Sequence, residues 1–97
     1  MATPLSIAVV GRNDGAVVLT ATGEIDLSNI DTFAEALVDA TVVDLSGVEY
    51  LDSGGINELF ANADHIHVIA NPILLPVLKI SGLTDVVSVE SAGPPTV

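Results

Sequence analysis

The 97-residue chain is predicted to be a single α/β domain, residues 1–97, with a mixed, mostly parallel β-sheet of about five strands and three helices. Three observations predict this. After an opening hairpin, β-rich runs alternate with runs of helical period, in the order ββαβαβαβ. The connections are short, as they are where successive elements join one sheet. A chain of this size holds one core, and with 49% hydrophobic residues and a mean hydropathy of +0.65 it has ample material for it. The ordered part is expected over about 5–90, with 91–97, which include Gly93-Pro94-Pro95, as a flexible tail.

Leu5 to Val10 alternates apolar with small or polar residues, and Gly11-Arg12-Asn13-Asp14-Gly15 supplies turn chemistry before a second β-rich run, Val17 to Thr22. After Gly23-Glu24-Ile25-Asp26, the residues Ile30, Phe33, Ala34, Leu37 and Val38 share one helical face, leaving Asp31, Glu35 and Asp39 to water. Ser28 or Asn29 is the expected cap. Thr41 to Leu45 is a β-branched interior strand, and Ser46-Gly47 has the composition of a turn. A second helix starts near Ser53, carries Ile56, Leu59, Phe60 and Ala63 on one face, and ends before a strand from His65 to Ala70. Asn71-Pro72 starts a third helix that Gly82 stops. Pro76 inside it predicts either an irregular first turn or a regular helix beginning nearer the proline. Val86 to Val89 is the last strand.

Thirteen acidic residues against Arg12 and Lys79 give a net charge of −11. No basic surface can neutralise phosphates, so nucleic acid is excluded as a partner, and an anionic membrane surface would repel the chain. The field favours a basic protein partner instead. With no cysteine there is no disulfide, thiolate metal site or thiol nucleophile. Neither a basic signal-peptide region nor an apolar run of about 20 residues is present, and a cytoplasmic location is expected.

Carboxylates are abundant, and Glu24, Asp26, Asp44 and Asp52 could converge at one rim of the sheet. Their usual catalytic company is missing: there is no nucleophile elbow, phosphate loop or dinucleotide fingerprint. No enzymatic activity is expected. His65 and His67 alternate on the predicted strand and so share a face, but a third metal ligand is not evident, and no metal site is expected. The most informative stretch is Leu51-Asp52-Ser53-Gly54-Gly55-Ile56. It sets a hydroxyl at a helix entrance flanked by glycines, where a phosphate would meet free amides and the positive end of the helix dipole. A plain N-cap followed by glycines has the same pattern.

Together, Gly23-Glu24-Ile25-Asp26, the run Val42 to Val48 followed by Leu51-Asp52-Ser53, and Asn71-Pro72 with Leu78 to Leu83 resemble the STAS domain of bacterial anti-sigma factor antagonists. The resemblance covers about Leu5 to Val89. It implies that Ser53 is the phosphoacceptor and Asp52 its adjacent acid. It further implies a partner surface of Glu24, Asp26, Asp52, Ser53, Gly54, Gly55 and Asn57. The implied partners are an anti-sigma factor with a histidine-kinase-like fold, which phosphorylates the serine, and a PP2C-like phosphatase that reverses the modification. The unphosphorylated antagonist binds the anti-sigma factor and frees sigma, and phosphorylation abolishes that binding. The kinase brings its own ATP and magnesium, so no cofactor is implied here. Three features depart from the family pattern: Gly54 stands in place of a second hydroxyl residue, Asn57 in place of a glycine, and the helix after Ser53 is a couple of turns short. The alternative function is a non-phosphorylated STAS subunit or scaffold of a transporter or stressosome-like complex.

Overall fold

The structure is a computed structural model that describes residues 4–92. Strands β1 (Ser6–Gly11), β2 (Val17–Ile25), β3 (Val42–Leu51), β4 (His67–Ala70) and β5 (Ser88–Ser91) form one sheet in the order β1-β2-β3-β4-β5. The first pair is antiparallel and the other three are parallel. Helices α1 (Ile30–Leu37), α2 (Ser53–Ala61) and α3 (Leu75–Ser81) each connect neighbouring parallel strands. The mixed five-stranded sheet with three helices is the predicted fold.

Because each crossover joins adjacent strands and such crossovers share one hand, all three helices lie on the same face of the sheet. Phe33 and Leu37 of α1, Ile56 and Leu59 of α2 and Leu78 of α3 pack with Leu19, Val43, Val68 and Ala70 in one buried cluster. The opposite face carries Val10, Val18, Thr20, Val42, Asp44, His67, Ile69 and Glu90, which no helix covers.

The hairpin turn closes through the Arg12 N–H on the Ala16 carbonyl at 2.7 Å, with Gly15 at φ 90°. Strands β2 and β3 run longer than their composition suggests. β2 continues through Gly23 to Ile25, and β3 continues through Ser46-Gly47 to Leu51, so that pair is not a turn. Two β-bulges account for this. Thr20 pairs with Asp44 but Thr22 with Gly47, and Gly23 pairs with Val48 but Glu24 with Tyr50. Each step adds one residue to β3, and Glu49 is the extra residue of the second. The buried residues of β3 are accordingly Val43, Leu45, Val48 and Leu51, spaced two and then three apart. A Cβ at Gly47 would lie 2.6 Å from Thr22 Cγ2, so the first bulge requires a glycine there.

The remaining boundaries shift modestly. His65 precedes β4 instead of opening it, and β5 starts at Ser88 because Leu83–Asp85 forms a 3₁₀ turn. Ser91 therefore belongs to a strand, and the tail expected beyond it, from residue 93 on, lies outside the described residues. Both alternatives raised by Pro76 occur together: a 3₁₀ turn over Pro72–Leu74 opens the segment, and the regular helix begins at Leu75 with Pro76 in its first turn. Gly82 ends it at φ 88°.

Candidate functional site

The parallel strands β2 and β3 end side by side. Glu24 is paired with Tyr50 and Ile25 with Leu51, and the Asp52 N–H donates to the Ile25 carbonyl at 3.1 Å. Asp26 and Asp52 therefore leave the sheet at the same rim, one into the turn before α1 and one into α2.

Asp52 is the N-cap of α2. Its backbone is extended (φ −82°, ψ 179°), and its Oδ1 accepts the Gly55 N–H at 3.1 Å. This satisfies one of the helix's orphan donors and sets a negative charge at its positive end. Ser53 is the first residue of the helix and is exposed, and its hydroxyl has no hydrogen-bond partner among the described residues. Gly54 is half-buried against Ile30 of α1. Gly55 is buried, and a Cβ there would collide with Leu51 and lie 3.1 Å from Ile25 Cγ2. Glycine at 55 is thus required by the close approach of α2 to the ends of β2 and β3. Asn57 lies one turn further on and is exposed.

The other half of the rim is held by Asn29, which sits at the N-cap position of α1 but makes no capping bond. Its amide instead ties the loop together: Nδ2 donates to the Glu24 carbonyl at 2.9 Å, and Oδ1 accepts the Asp26 N–H at 3.0 Å. Asp26 Oδ1 in turn accepts the Ser28 N–H at 2.9 Å and the Ser28 hydroxyl at 2.6 Å. The cap expected from Ser28 or Asn29 is replaced by this network. Asn29 was legible as a helix-start residue, whereas its bridging role depends on where β2 ends.

Beside the rim, on the helix-free face, a hollow of about 200 Å³ lies between the two bulges, lined by Thr22, Gly23, Glu24, Gly47 and Glu49. Glu24 thus faces this hollow while its carbonyl serves the rim. Glu49 was not singled out by the sequence pattern, and neither was Tyr50, which pairs with Glu24 and is exposed. Leu27, 82% exposed in the turn between Asp26 and α1, adds an apolar group to the same end.

Two predicted convergences do not occur. Asp44 lies mid-strand on the helix-free face, where Oδ1 accepts the Ser46 N–H at 2.9 Å, away from the rim. His65 and His67 do not share a strand. His65 Nδ1 is 3.0 Å from the Ala40 carbonyl and its Nε2 is 3.1 Å from Asn62 Oδ1, whereas His67 Nε2 meets Glu90 at 2.7 Å.

Electrostatically the rim is one-sided. Arg12 is at the opposite end of β2, paired with Asp14 at 3.0 Å, and Lys79 lies in the last turn of α3, whose start is the end near the rim. Glu24, Asp26 and Asp52 therefore have no cation beside them among the described residues.

Residues 8–89 match the protein family described as "Mlab, STAS domain". The chain belongs to the STAS domain family. Among solved structures, this STAS domain is similar to an anti-sigma factor antagonist from Mycobacterium paratuberculosis, with a TM-score of 0.80 and 24% identity over 97% of this chain and 88% of that one. It is also similar to the anti-sigma factor antagonist SpoIIAA in its unphosphorylated form, with a TM-score of 0.67 and 15% identity over 91% and 89% of the two chains. At these identities the likeness is one of fold. No curated protein matches the STAS domain described here. None of its helices is long and apolar enough to cross a membrane among the described residues.

Proposed function

We propose that this STAS domain is an anti-sigma factor antagonist that acts in the cytoplasm by partner exchange and is switched off by phosphorylation of Ser53. The observation that carries the reading is the exposed, unbonded hydroxyl of Ser53 at the first position of α2, with the capping role taken by Asp52. A serine that is not needed as a cap is free to be modified. The proposed partner surface is Glu24, Asp26, Asp52, Ser53, Gly54, Gly55 and Asn57, and the partner is an anti-sigma factor kinase. A PP2C-like phosphatase restores the active form. In this reading the chain is the substrate of an enzyme and needs no cofactor of its own.

The direction of the switch follows from two opposed terms. At the helix N-terminus a phosphate gains about 0.3–1 kcal/mol. In a closed interface, a group of about −1.5 to −2 charge next to Asp52, with no basic residue of this chain beside it, costs several kcal/mol to desolvate. Repulsion wins, so the modified protein releases its partner while its own fold is kept.

The test is incubation with magnesium-ATP and a candidate anti-sigma factor kinase, followed by mass mapping of the modified residue and calorimetric titration of both forms. Phosphate on Ser53 and at least about tenfold weaker binding, about 1.4 kcal/mol, are expected. Equal affinity of the two forms rules out the switch. Stable association of the unmodified chain with a transporter or stressosome-like assembly, with Ser53 never phosphorylated, replaces it with the scaffold function.

A further inference from the structure

The free edge of the sheet at β1 lacks the features that keep an exposed strand from pairing with another chain. Such edges are guarded by shortness, a charge or proline in the strand, a bulge, or cover from a neighbouring element. β1 runs six residues, Ser6-Ile7-Ala8-Val9-Val10-Gly11, without charge or proline. Its register with β2 is unbroken from Ser6 opposite Thr22 to Gly11 opposite Val17. Among the described residues no other strand pairs with it. Every second residue of an edge strand turns its N–H and C=O away from the sheet, so this edge presents a row of donors and acceptors. The opposite edge is guarded: β5 has four residues, and one of them is Glu90.

Two further observations point to the occupant. Val9 and Val10 are 50% and 59% exposed, one on each face of the sheet, so the strand offers apolar area on both sides. The charge is also unevenly placed. All thirteen acidic residues lie from Asp14 onward, whereas residues 1–12 contain none and include Arg12, one of the two cations. Two copies at −11 each repel over most of their surfaces. At the β1 edge they meet strand to strand with no carboxylate on either strand.

We propose that β1 pairs antiparallel with β1 of a second copy, about a twofold axis normal to the sheet, to make one continuous ten-stranded sheet. An antiparallel edge is complementary to itself, which is the requirement for a closed twofold dimer. Directly opposed residues share a face, so the axis passes beside Ala8 or beside Val9. In the first case Ala8 opposes Ala8 of the second copy, and in the second Ala8 opposes its Val10. The rim with Asp52 and Ser53 follows β3, two strands in from this edge, and stays open in both copies.

The test is sedimentation equilibrium of the 97-residue chain. One strand pair is a small interface, so association is expected in the range of about 10–500 µM, with the mass rising from 9.9 kDa toward twice that value. In Ala8→Lys/Val10→Lys, either register sets like charges directly opposite each other. The dimer should weaken at least about tenfold, with the thermal midpoint of the dilute protein unchanged. Mixing this variant with Ala8→Glu/Val10→Glu should restore association. Ile80→Lys, at a position 87% exposed on α3, is the control and should leave association unchanged. A wild-type chain that stays monomeric across the range overturns the proposal. So does a lysine variant that dimerises normally, failure of the mixed variants to associate, or loss of the dimer in Ile80→Lys. Hydrogen exchange of the wild type reports independently: β1 amides should slow as concentration rises, and unchanged β1 rates in a dimer would place the interface elsewhere.

Discussion

Asp52 Oδ1 reaches over the first turn of α2 to accept the N–H of Gly55 at 3.1 Å, and the hydroxyl of Ser53, the next residue in the chain after Asp52, has no hydrogen bond among the described residues. Capping thereby falls to Asp52 and leaves the neighbouring hydroxyl to the proposed modification. Ser53→Ala should therefore change stability by less than about 0.5 kcal/mol, the usual range for a surface substitution, while abolishing phosphorylation. Asp52→Ala should cost about 0.5–2 kcal/mol for the lost cap. Thermal unfolding of the two variants checks the contrast. A larger loss in Ser53→Ala than in Asp52→Ala would reverse the assignment.

The two glycines after Ser53 should respond differently to the same change. Alanine in a helix gains about 1 kcal/mol over glycine. At position 55 the added methyl enters the space held by Leu51 and Ile25, both in the core, and overpacking of about 1–3 kcal/mol outweighs that gain. At position 54 the nearest atoms, Asp52 Oδ1 at 3.3 Å and Ile30 Cγ1 at 3.7 Å, leave room for small adjustments. Chemical denaturation should rank Gly55→Ala below both the wild type and Gly54→Ala.

Asn29→Ala removes two hydrogen bonds from one side chain, those to the Glu24 carbonyl and the Asp26 N–H. At about 0.5–1.5 kcal/mol each, the loss should be about 1–3 kcal/mol. The Asp26 amide should then exchange faster with solvent, while amides in β4 keep their relative protection. A uniform change across the chain would mean that Asn29 acts only through global stability.

At the far end of the molecule, Asp14 titrates below its ordinary value of 3.8, first because its carboxylate accepts the Ala16 N–H and next because of the bond from Arg12. A carboxyl whose pKa is lowered by folding contributes stability above its unfolded value, and that contribution is lost as pH falls through the folded value. The hairpin turn should loosen only below pH 3.8. The Asp14 carboxyl resonance followed by NMR gives its midpoint, and a midpoint above 3.8 contradicts the arrangement.

The elements that could be read in advance are those whose side-chain period is unbroken. The apolar spacing from Ile30 to Leu37 marks α1, and Gly82 marks the end of α3, because each signal is local. β3 was legible only to Leu45. Beyond it the buried residues step by three, and Ser46-Gly47 has the composition of a turn, although the bond-making partner that turns it into a bulge is Thr22 on another strand. The same reason hid the rim network. Asp52-Ser53 stands out in sequence, but Asn29 acquires its role only once Glu24 and Asp26 are brought within reach of one amide. Alternation alone puts His65 on a strand, whereas its ring is engaged by Ala40 and Asn62 before β4 begins.

The two bulges add a residue each to β3 without changing which side chains reach the core. In a regular strand lacking the Ser46 and Glu49 insertions, Leu45, Val48 and Leu51 would fall two apart and still point inward. The hydrophobic core therefore has no use for these two positions. They add about 6.6 Å of chain to β3 at the usual rise per residue, although both of its ends stay paired with β2. A strand that carries a bulge bends there, and the second of these bulges lies next to the aspartates at the end of the sheet. Shortened by those two residues, the protein would keep its interior and lose the two bulges that lead into its acidic corner.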